Sequence, residues 1–445
     1  MEDLTANEHE LKTQVQEILD EAQRQGADQA EVSVSSETGL AVSVRKGELE
    51  NVEFNQDRGF GLTVYIGQRK GSASTTDSSP QAVADTVAAA VRIASYTQDD
   101  ACSGLADADR MPETLPALDL NHPWAVTPEE AAELAQACEA AGLAMDKRLT
   151  NTDGAQITTG QSLRVYGNSH GFVGAYCGTR HGLSCVLIGE DDQGMQRDYW
   201  YTVSRDAADL EDARAVGERA AQRTLERLSP RKAPTGAYPV LFAPQMASGL
   251  FGHLIGAVSG GALYRKASFL LDSLGTDVMP SWLTLRERPH LPKALGSAAF
   301  DADGVATAEK CIVDGGTVAS YVLSTYSARK LGMTPTGNAG GVHNVDVEGP
   351  QTPVAELRQR MGTGLMVTEL MGQGVNGVTG DYSRGAAGFW VENGEIAYPV
   401  AEVTIAGNLK ALYQGIVALG DDVDARNNIR APSVLVDGFV LAGDG

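Results

Sequence analysis

Apolar residues at Leu11, Val15, Ile18 and Ala22 recur at helical spacing, and Gly26 stands where a helix can close in the left-handed conformation. The pattern then changes to alternation in the runs AEVSVSS, LAVSVRKGELENVEF and GLTVYIGQRKGSAST. Leu40, Val42 and Val44 share one face there, which predicts strands with one buried side. Helical spacing returns at Val83, Val87, Val91 and Ala94, behind Ser79-Pro80, an N-cap followed by proline in the first turn. A polar, proline-dotted stretch from about 97 to 125 reads as a linker.

The same grammar then repeats. Thr127-Pro128-Glu129-Glu130 predicts a capping box that opens a helix to about Met145. SLRVYG, GFVGAYC, LSCVLIGE and RDYWYTVS predict a meander, and Leu210 to Leu228 a second amphipathic helix that Ser229-Pro230 ends. Helix, strands, helix thus occurs twice, which hints at related halves without enough identity to establish a duplication. From about 231 onward the chain is rich in glycine and hairpins. KCIVDGGTVASYVLS and GFWVENGEIAYPVAEVTIAG each hold two β runs joined at Asp-Gly-Gly or Glu-Asn-Gly, where the turn needs positive φ. The expected class is α+β: helix-flanked N-terminal and central β-sheet regions, then a β-rich C-terminal domain. The expected boundaries are 1–122, 123–230 and 231–445.

Charge narrows the function classes. The 445 residues carry 35 Lys and Arg against 58 Asp and Glu, a net charge of -23, and basic runs stop at pairs such as Arg231-Lys232. A nucleic-acid binder needs a basic footprint to neutralise phosphates, so no nucleic-acid partner is expected, and anionic membrane surfaces are disfavoured likewise. The longest apolar stretch without acids, Lys or Arg, Pro239 to Leu263, contains Pro244, Gln245, two serines and five glycines, a poor membrane span. The acidic start MEDLTANEHEL lacks the basic and apolar regions of a signal peptide, and the expected location is cytoplasmic. Cys102, Cys138, Cys177, Cys185 and Cys311 form no CxxC pair and read as free thiols.

Four constellations invite chemistry. Gly167-Asn168-Ser169-His170-Gly171 fits a nucleophile elbow, but a strand rather than a helix follows, so it reads as a hairpin turn; Ala257-Val258-Ser259-Gly260-Gly261 is a weaker variant. Cys177, His181 and Cys185 are spaced four and four. In one continuous strand the outer two lie roughly 26 Å apart at ~3.3 Å per residue, too far for zinc–sulfur bonds of ~2.3 Å; a turn centred on His181 would bring them together. Asp301-Ala302-Asp303-Gly304 opens like a calcium loop, but Ile312 stands where the twelfth-position acid belongs, so an acidic turn is expected. The fourth, SGLFGHLIGAVSGGALYRKASF, begins like a metallopeptidase helix and holds one histidine, His253, with neither an adjacent glutamate nor a second histidine. Gly252, Gly256 and Gly260 recur every four residues. On one helix they make a bare ridge that invites close packing, so His253 reads as a packed or surface residue.

Three long strings then carry a resemblance. FAPQMASGLFGHLIGAVSGGALYRKASFLLDSLG, YSARKLGMTPTGNAGG and GVNGVTGDYSRGAAGFWVENGEIAYPV are similar to signatures of the PmbA/TldD family, specifically its PmbA (TldE) branch, over nearly the whole chain. The resemblance implies that family's three-region fold. Its catalytic branch, TldD, carries an HExxxH motif in the same helix and a later cysteine as third zinc ligand. In register, Gly252 takes the place of the first histidine, His253 that of the glutamate, Ala257 that of the second histidine and Gly385 that of the cysteine. No catalytic residue and no metal ligand carries over.

What the resemblance implies is a PmbA/TldE-like subunit of a two-chain cytoplasmic metalloprotease. Zinc and cleavage would reside in a TldD-like partner, the substrates would be unfolded peptides such as leader peptides and antitoxins, and this chain would hold no cofactor. The chain alone can form a homodimer in this reading, and the choice between that and an obligate heterodimer is open. Cleft or partner-interface candidates are His253, Gly256, Gly260, Tyr264, Arg265, Lys266 and Arg384, the last within GDYSRGAAGFW, a run able to present backbone to an extended peptide. Two alternatives stand beside this reading. One is an independent peptidase built on His253, His343 and the cysteine cluster; the other is a non-proteolytic regulator of a topoisomerase or other protein, of the gyrase-modulator kind.

Overall fold

The computed structural model describes residues 4–443; the first three residues of the acidic start lie outside that range. The first part of the chain runs α1 (Glu8–Arg24), β1 (Gln29–Arg45), β2 (Glu48–Ile66), β3 (Arg69–Thr75), α2 (Pro80–Tyr96), α3 (Pro128–Leu143), β4 (Leu149–Asn168), β5 (Val173–Asp191), β6 (Gly194–Ser204) and α4 (Ala213–Glu226). The expected helix signals act as read. Ser79 accepts the Ala82 N–H, and Thr127 and Glu130 form a reciprocal capping box; the helix expected from Leu210 instead starts at Ala213, where Asp212 caps it. Leu11, Val15, Ile18 and Ala22 are buried, and Gly26 has φ +94°.

The two sections with repeated grammar build one antiparallel sheet, in the order β3-β2-β1-β4-β5-β6. Each contributes a helix, a three-strand meander and a second helix, and the halves meet where β1 pairs with β4 (Val34 opposite Val165, Gly39 opposite Gly160). The strands are longer than the alternation suggested. β1 runs unbroken across Glu37–Leu40 and turns only at Lys46-Gly47, both at positive φ, and β4 begins at Leu149 rather than near Ser162.

One face of this sheet is covered twice. α1 and α2 pack over Val32, Val34, Leu62 and Val165 at one end, and α3 and α4 over Val42, Val44, Ile157 and Leu187 at the other. A buried polar band lies between the two patches. There the His181 ring bonds Thr159 Oγ1 at 2.8 Å and the His122 carbonyl at 2.9 Å, and Gln161 donates to Asn121 at 2.8 Å.

The second part runs β7 (Gly236–Phe242), α5 (Pro244–Ala257), α6 (Gly260–Tyr264), β8 (Thr284–Glu287), β9 (Lys310–Asp314), β10 (Thr317–Val318), α7 (Thr325–Lys330), β11 (Val345–Glu348) and β12 (Gln351–Thr352). It continues through α8 (Val354–Met361), β13 (Gly364–Met371), β14 (Asp381–Glu392), β15 (Glu395–Asn408), α9 (Leu409–Gln414), β16 (Ile416–Gly420), β17 (Ile429–Arg430) and β18 (Val434–Ala442). Both expected hairpins form, with Gly315-Gly316 and Asn393-Gly394 at positive φ. A five-stranded sheet has the order β10-β9-β8-β11-β17. In a seven-stranded one, β7 pairs with both β13 and β18, so β7, β13, β14, β15 and β18 close into a ring. Alternate residues of β7 divide between two cores. Val240 and Phe242 join the large core that receives α5, whereas Leu241 joins a small cluster under α8. No helix among the described residues is long and apolar enough to cross a membrane.

Candidate functional site: a bare helix facing a sheet strand

α5 starts at Pro244 and places Leu250, Phe251, Leu254 and Ile255 in the large core. The buried Tyr413 hydroxyl donates to the Leu250 carbonyl at 2.8 Å and fixes the helix against α9. This seating turns His253 toward Tyr382 of β14 and Gly252 toward Ile429 of β17. The half-buried His253 ring stands edge-on to Tyr382, with centroids 6.0 Å apart, and Tyr382 in turn stands edge-on to Phe439 at 5.9 Å. Burial and then the Arg384 guanidinium hold the His253 pKa below the usual imidazole range. Burial pushes the Tyr382 phenol up to about 12, so it is protonated at neutral pH. Arg384 follows two residues along β14, with its Nε buried and without a protein partner. Gly385 comes next, opposite Met371 on β13.

Of the four register positions, three lie on α5 and one on β14, and the contact between the two elements is the aromatic pair His253–Tyr382. Gly252 and Gly385 have no side chain, Ala257 is a buried methyl, and His253 alone offers a ring nitrogen. Zinc takes three or four nitrogen, sulfur or carboxylate donors. The residues present do not fit it, and no group of three or more His, Cys, Asp or Glu that could hold a metal ion occurs among the described residues.

The glycine ridge expected from sequence does not exist as one surface. α5 ends at Ala257, and Gly260 belongs to α6. A Cβ at Gly252 would meet only Ile429 Cδ1, at 3.7 Å, and one at Gly256 would meet nothing within 4 Å. Gly260 is the tight position, where a Cβ would come within 2.2 Å of Ser327 Oγ. The spacing of four was real, but a break between helices splits it.

Tyr264 leaves α6 and stands edge-on to Tyr326 at 5.8 Å, with Arg265 over its ring at 5.5 Å. Tyr326 and Lys330 both bind Asp100 of the linker, at 2.7 and 3.0 Å, so this corner joins the two parts of the chain. Arg265 and Lys266 are exposed, Lys266 at φ +57°. The run around Arg384 is not open to an added strand. β14 lies between β13 and β15, and beyond the end of β13 the Ser383 N–H donates to the Gly374 carbonyl.

The other constellations resolve simply. Cys177, His181 and Cys185 lie on the single continuous strand β5, with no turn at His181, so they cannot converge on one metal ion. Cys185 instead packs against Cys138, which pushes its thiol pKa upward, and all five cysteines are free. Ser169 sits in the β4–β5 turn, where its hydroxyl accepts the Ala30 N–H at 3.1 Å. Asp301 caps an acidic turn by accepting the N–H groups of Asp303, Val305 and Ala339. His343, the other histidine candidate, donates its backbone N–H to the buried Glu287, which also holds Lys310 and Asn338.

Sequence reasoning missed a cavity at the other end of α5. It lies between the two parts of the chain, and Pro244, Gln245, Trp200 and Arg358 are among its walls. The contributing residues come from elements scattered between β6 and the Asp422–Arg426 loop, so no local spacing could reveal it.

Comparison with known proteins gives the family. Models of PmbA/TldA metallopeptidase domain 1, central domain and C-terminal domain match residues 30–94, 121–228 and 235–443. The chain is 54% identical to metalloprotease PmbA of Escherichia coli O157:H7 over 417 residues, covering 94% of this chain and 93% of that one. Among solved structures it is similar to a proposed modulator of DNA gyrase from Bacteroides thetaiotaomicron, with TM-score 0.92 and 30% identity over 98% of this chain and 99% of that one. TldE from Thermococcus kodakarensis shares the fold, with TM-score 0.83 and 20% identity over 97% and 100%. The chain belongs to the PmbA/TldD family of metallopeptidases, on its PmbA side.

Proposed function

We propose that this chain is the non-catalytic subunit of a cytoplasmic two-chain metallopeptidase. A TldD-like partner holds the zinc and cleaves unfolded peptides, and this chain completes the cleft that encloses them. One observation carries the reading: the helix–strand pair that the family uses for its metal is folded here, with Gly252, Ala257 and Gly385 in place of donors and His253 set against Tyr382. The family resemblance supplies the rest, including the substrate class and the partner.

In this reading the residues of α5 and β14 perform no proton transfer and bind no metal. They keep the wall of the cleft rigid, and Arg384 and the open surface at Gly256 face whatever enters it. Purification of the chain alone, then mixed with its TldD-like partner, tests the reading. The lone chain should contain no stoichiometric zinc and cleave no unfolded peptide, whereas the mixture should contain zinc and cleave. His253→Ala should leave cleavage by the mixture unchanged. Cleavage by the lone chain after metal-free preparation, abolished by His253→Ala, would favour an independent peptidase instead.

A further inference from the structure

The cavity at the N-terminal end of α5 has a volume of about 600 Å³. Its floor is the outer face of the C-terminal ring. Met366 and Thr368 alternate on β13, Phe389 lies opposite Met366 on β14, and Ile396 follows on β15. Farther along, the same face is covered by α8, whose Leu357 and Met361 pack on Leu241, Val391 and Leu435. α8 does not reach the whole floor, so Ile396 is 46% exposed and Val423, in the opposite wall, 40%. Apolar surface inside a concave site is what a ligand side chain covers.

The walls do not collapse onto that floor because they are fixed elsewhere. Arg426 is stacked between Trp200 at 4.2 Å and Tyr201 at 4.3 Å, and its guanidinium is held by Asp424. This pins the C-terminal loop to β6 of the N-terminal sheet and holds the cavity open between them.

The charges around the cavity are unequally satisfied. Asp198 is paired with Arg223, and Asp424 with Arg426. Glu211 accepts the Trp200 indole N–H, Glu226 the Gln222 amide, and Asp422 the Ser433 hydroxyl. Arg219 and Arg358, in contrast, have no carboxylate within 4 Å among the described residues. Arg358 Nε and Thr368 Oγ1 are also buried without a protein partner, an unusual state for polar atoms in a folded chain. The terminal Arg358 nitrogens, neither enclosed nor bonded to protein, stand above an apolar floor and suit a carboxylate attached to an apolar group.

We propose that this cavity is a peptide-binding subsite: the terminal nitrogens of Arg358 donate to a carboxylate, and Met366, Phe389 and Ile396 receive the apolar side chain beside it. That the ligand is a peptide rests on the proposed function; the carboxylate and the apolar neighbour rest on the cavity itself. The carboxylate comes from a peptide C-terminus or from an internal acidic side chain.

Calorimetric titration of the full-length chain, without any partner, tests this. Four probes are used: an N-acetylated pentapeptide ending in phenylalanine as free acid, the same peptide as C-terminal amide, an amide with glutamate beside the phenylalanine, and octanoate. The free acid or the glutamate amide should bind at least about tenfold more tightly than the plain amide, as loss of a charge-assisted hydrogen bond requires. Whichever does so identifies the source of the carboxylate. Arg358→Gln should remove the preference, while Arg360→Gln, on the exposed side of the same helix, should keep it and so control for the fold of α8. Equal binding of acids and amide, no binding of any peptide, a preference that survives Arg358→Gln, or octanoate outcompeting every peptide would each overturn the proposal. Because the partner is absent, failure here leaves the two-chain reading standing, and failure of reconstituted cleavage leaves the subsite standing.

Discussion

In its middle and C-terminal half, α5 presents Gly252, Gly256 and Ala257 to its surroundings, with His253 resting on Tyr382. At its N-terminal end the same helix borders a cavity where Arg358 and Thr368 keep polar atoms without protein partners. One region holds a packed aromatic contact; the other holds polar atoms without protein partners. The difference teaches that position on a shared scaffold and chemistry at that position vary separately, so each must be read from side chains. It also explains why a lone histidine in a family helix is weak evidence for catalysis. Its burial, its aromatic neighbour and the adjacent Arg384 favour a neutral packed ring.

Substitutions along α5 and α6 sharpen the contrast between closed and open faces. Phe251 is fully buried in the large core, so Phe251→Ala should cost about 3–5 kcal/mol in denaturant unfolding. Gly260→Ala comes next, because its Cβ would lie 2.4 Å from Ser327 Cβ, and overpacking of that kind costs about 1–3 kcal/mol. Gly256→Ala should act in the opposite direction. With nothing within 4 Å, alanine should stabilise the helix by about 0.5–1 kcal/mol. A loss of stability at Gly256 would show that another surface covers this face in solution and would break the comparison.

The smallest expected effect concerns pH. Burial holds the pKa values of His181, His253, His290 and His343 below the usual imidazole value. The folded state thus favours their neutral forms. The corresponding stability is present above the unfolded value of ~6.5 and is lost as pH falls through the lower folded values. The Tm should decline on acidification below that point, and His253→Gln should flatten the decline slightly. An unchanged slope would place the His253 ring in water rather than against Tyr382.

Much of the fold was legible because its signals are local. Ser79, Thr127 with Glu130, and Gly26 act through atoms a few residues away, and alternation at Val42 and Val44 depends only on which face is buried. The joining of two sections into one sheet was not legible, because the β1–β4 pairing links residues more than a hundred positions apart. The glycine spacing misled for a related reason: composition gives the period, while the break after Ala257 decides whether Gly260 shares the surface. The register of Gly252, His253, Ala257 and Gly385 is what the resemblance implies, and the structure adds what surrounds them. The cavity at Arg358 had no sequence signal, since β6, α4, α8, β13 and a C-terminal loop contribute one or a few residues each.

Zinc stoichiometry measured together with peptide cleavage, on this chain alone and on its complex with a TldD-like partner, tests the central proposal most directly. The account predicts no bound zinc and no cleavage for the chain alone, and zinc retained by the partner with cleavage in the complex. One zinc per copy of the isolated chain, with cleavage that chelation abolishes, would contradict it.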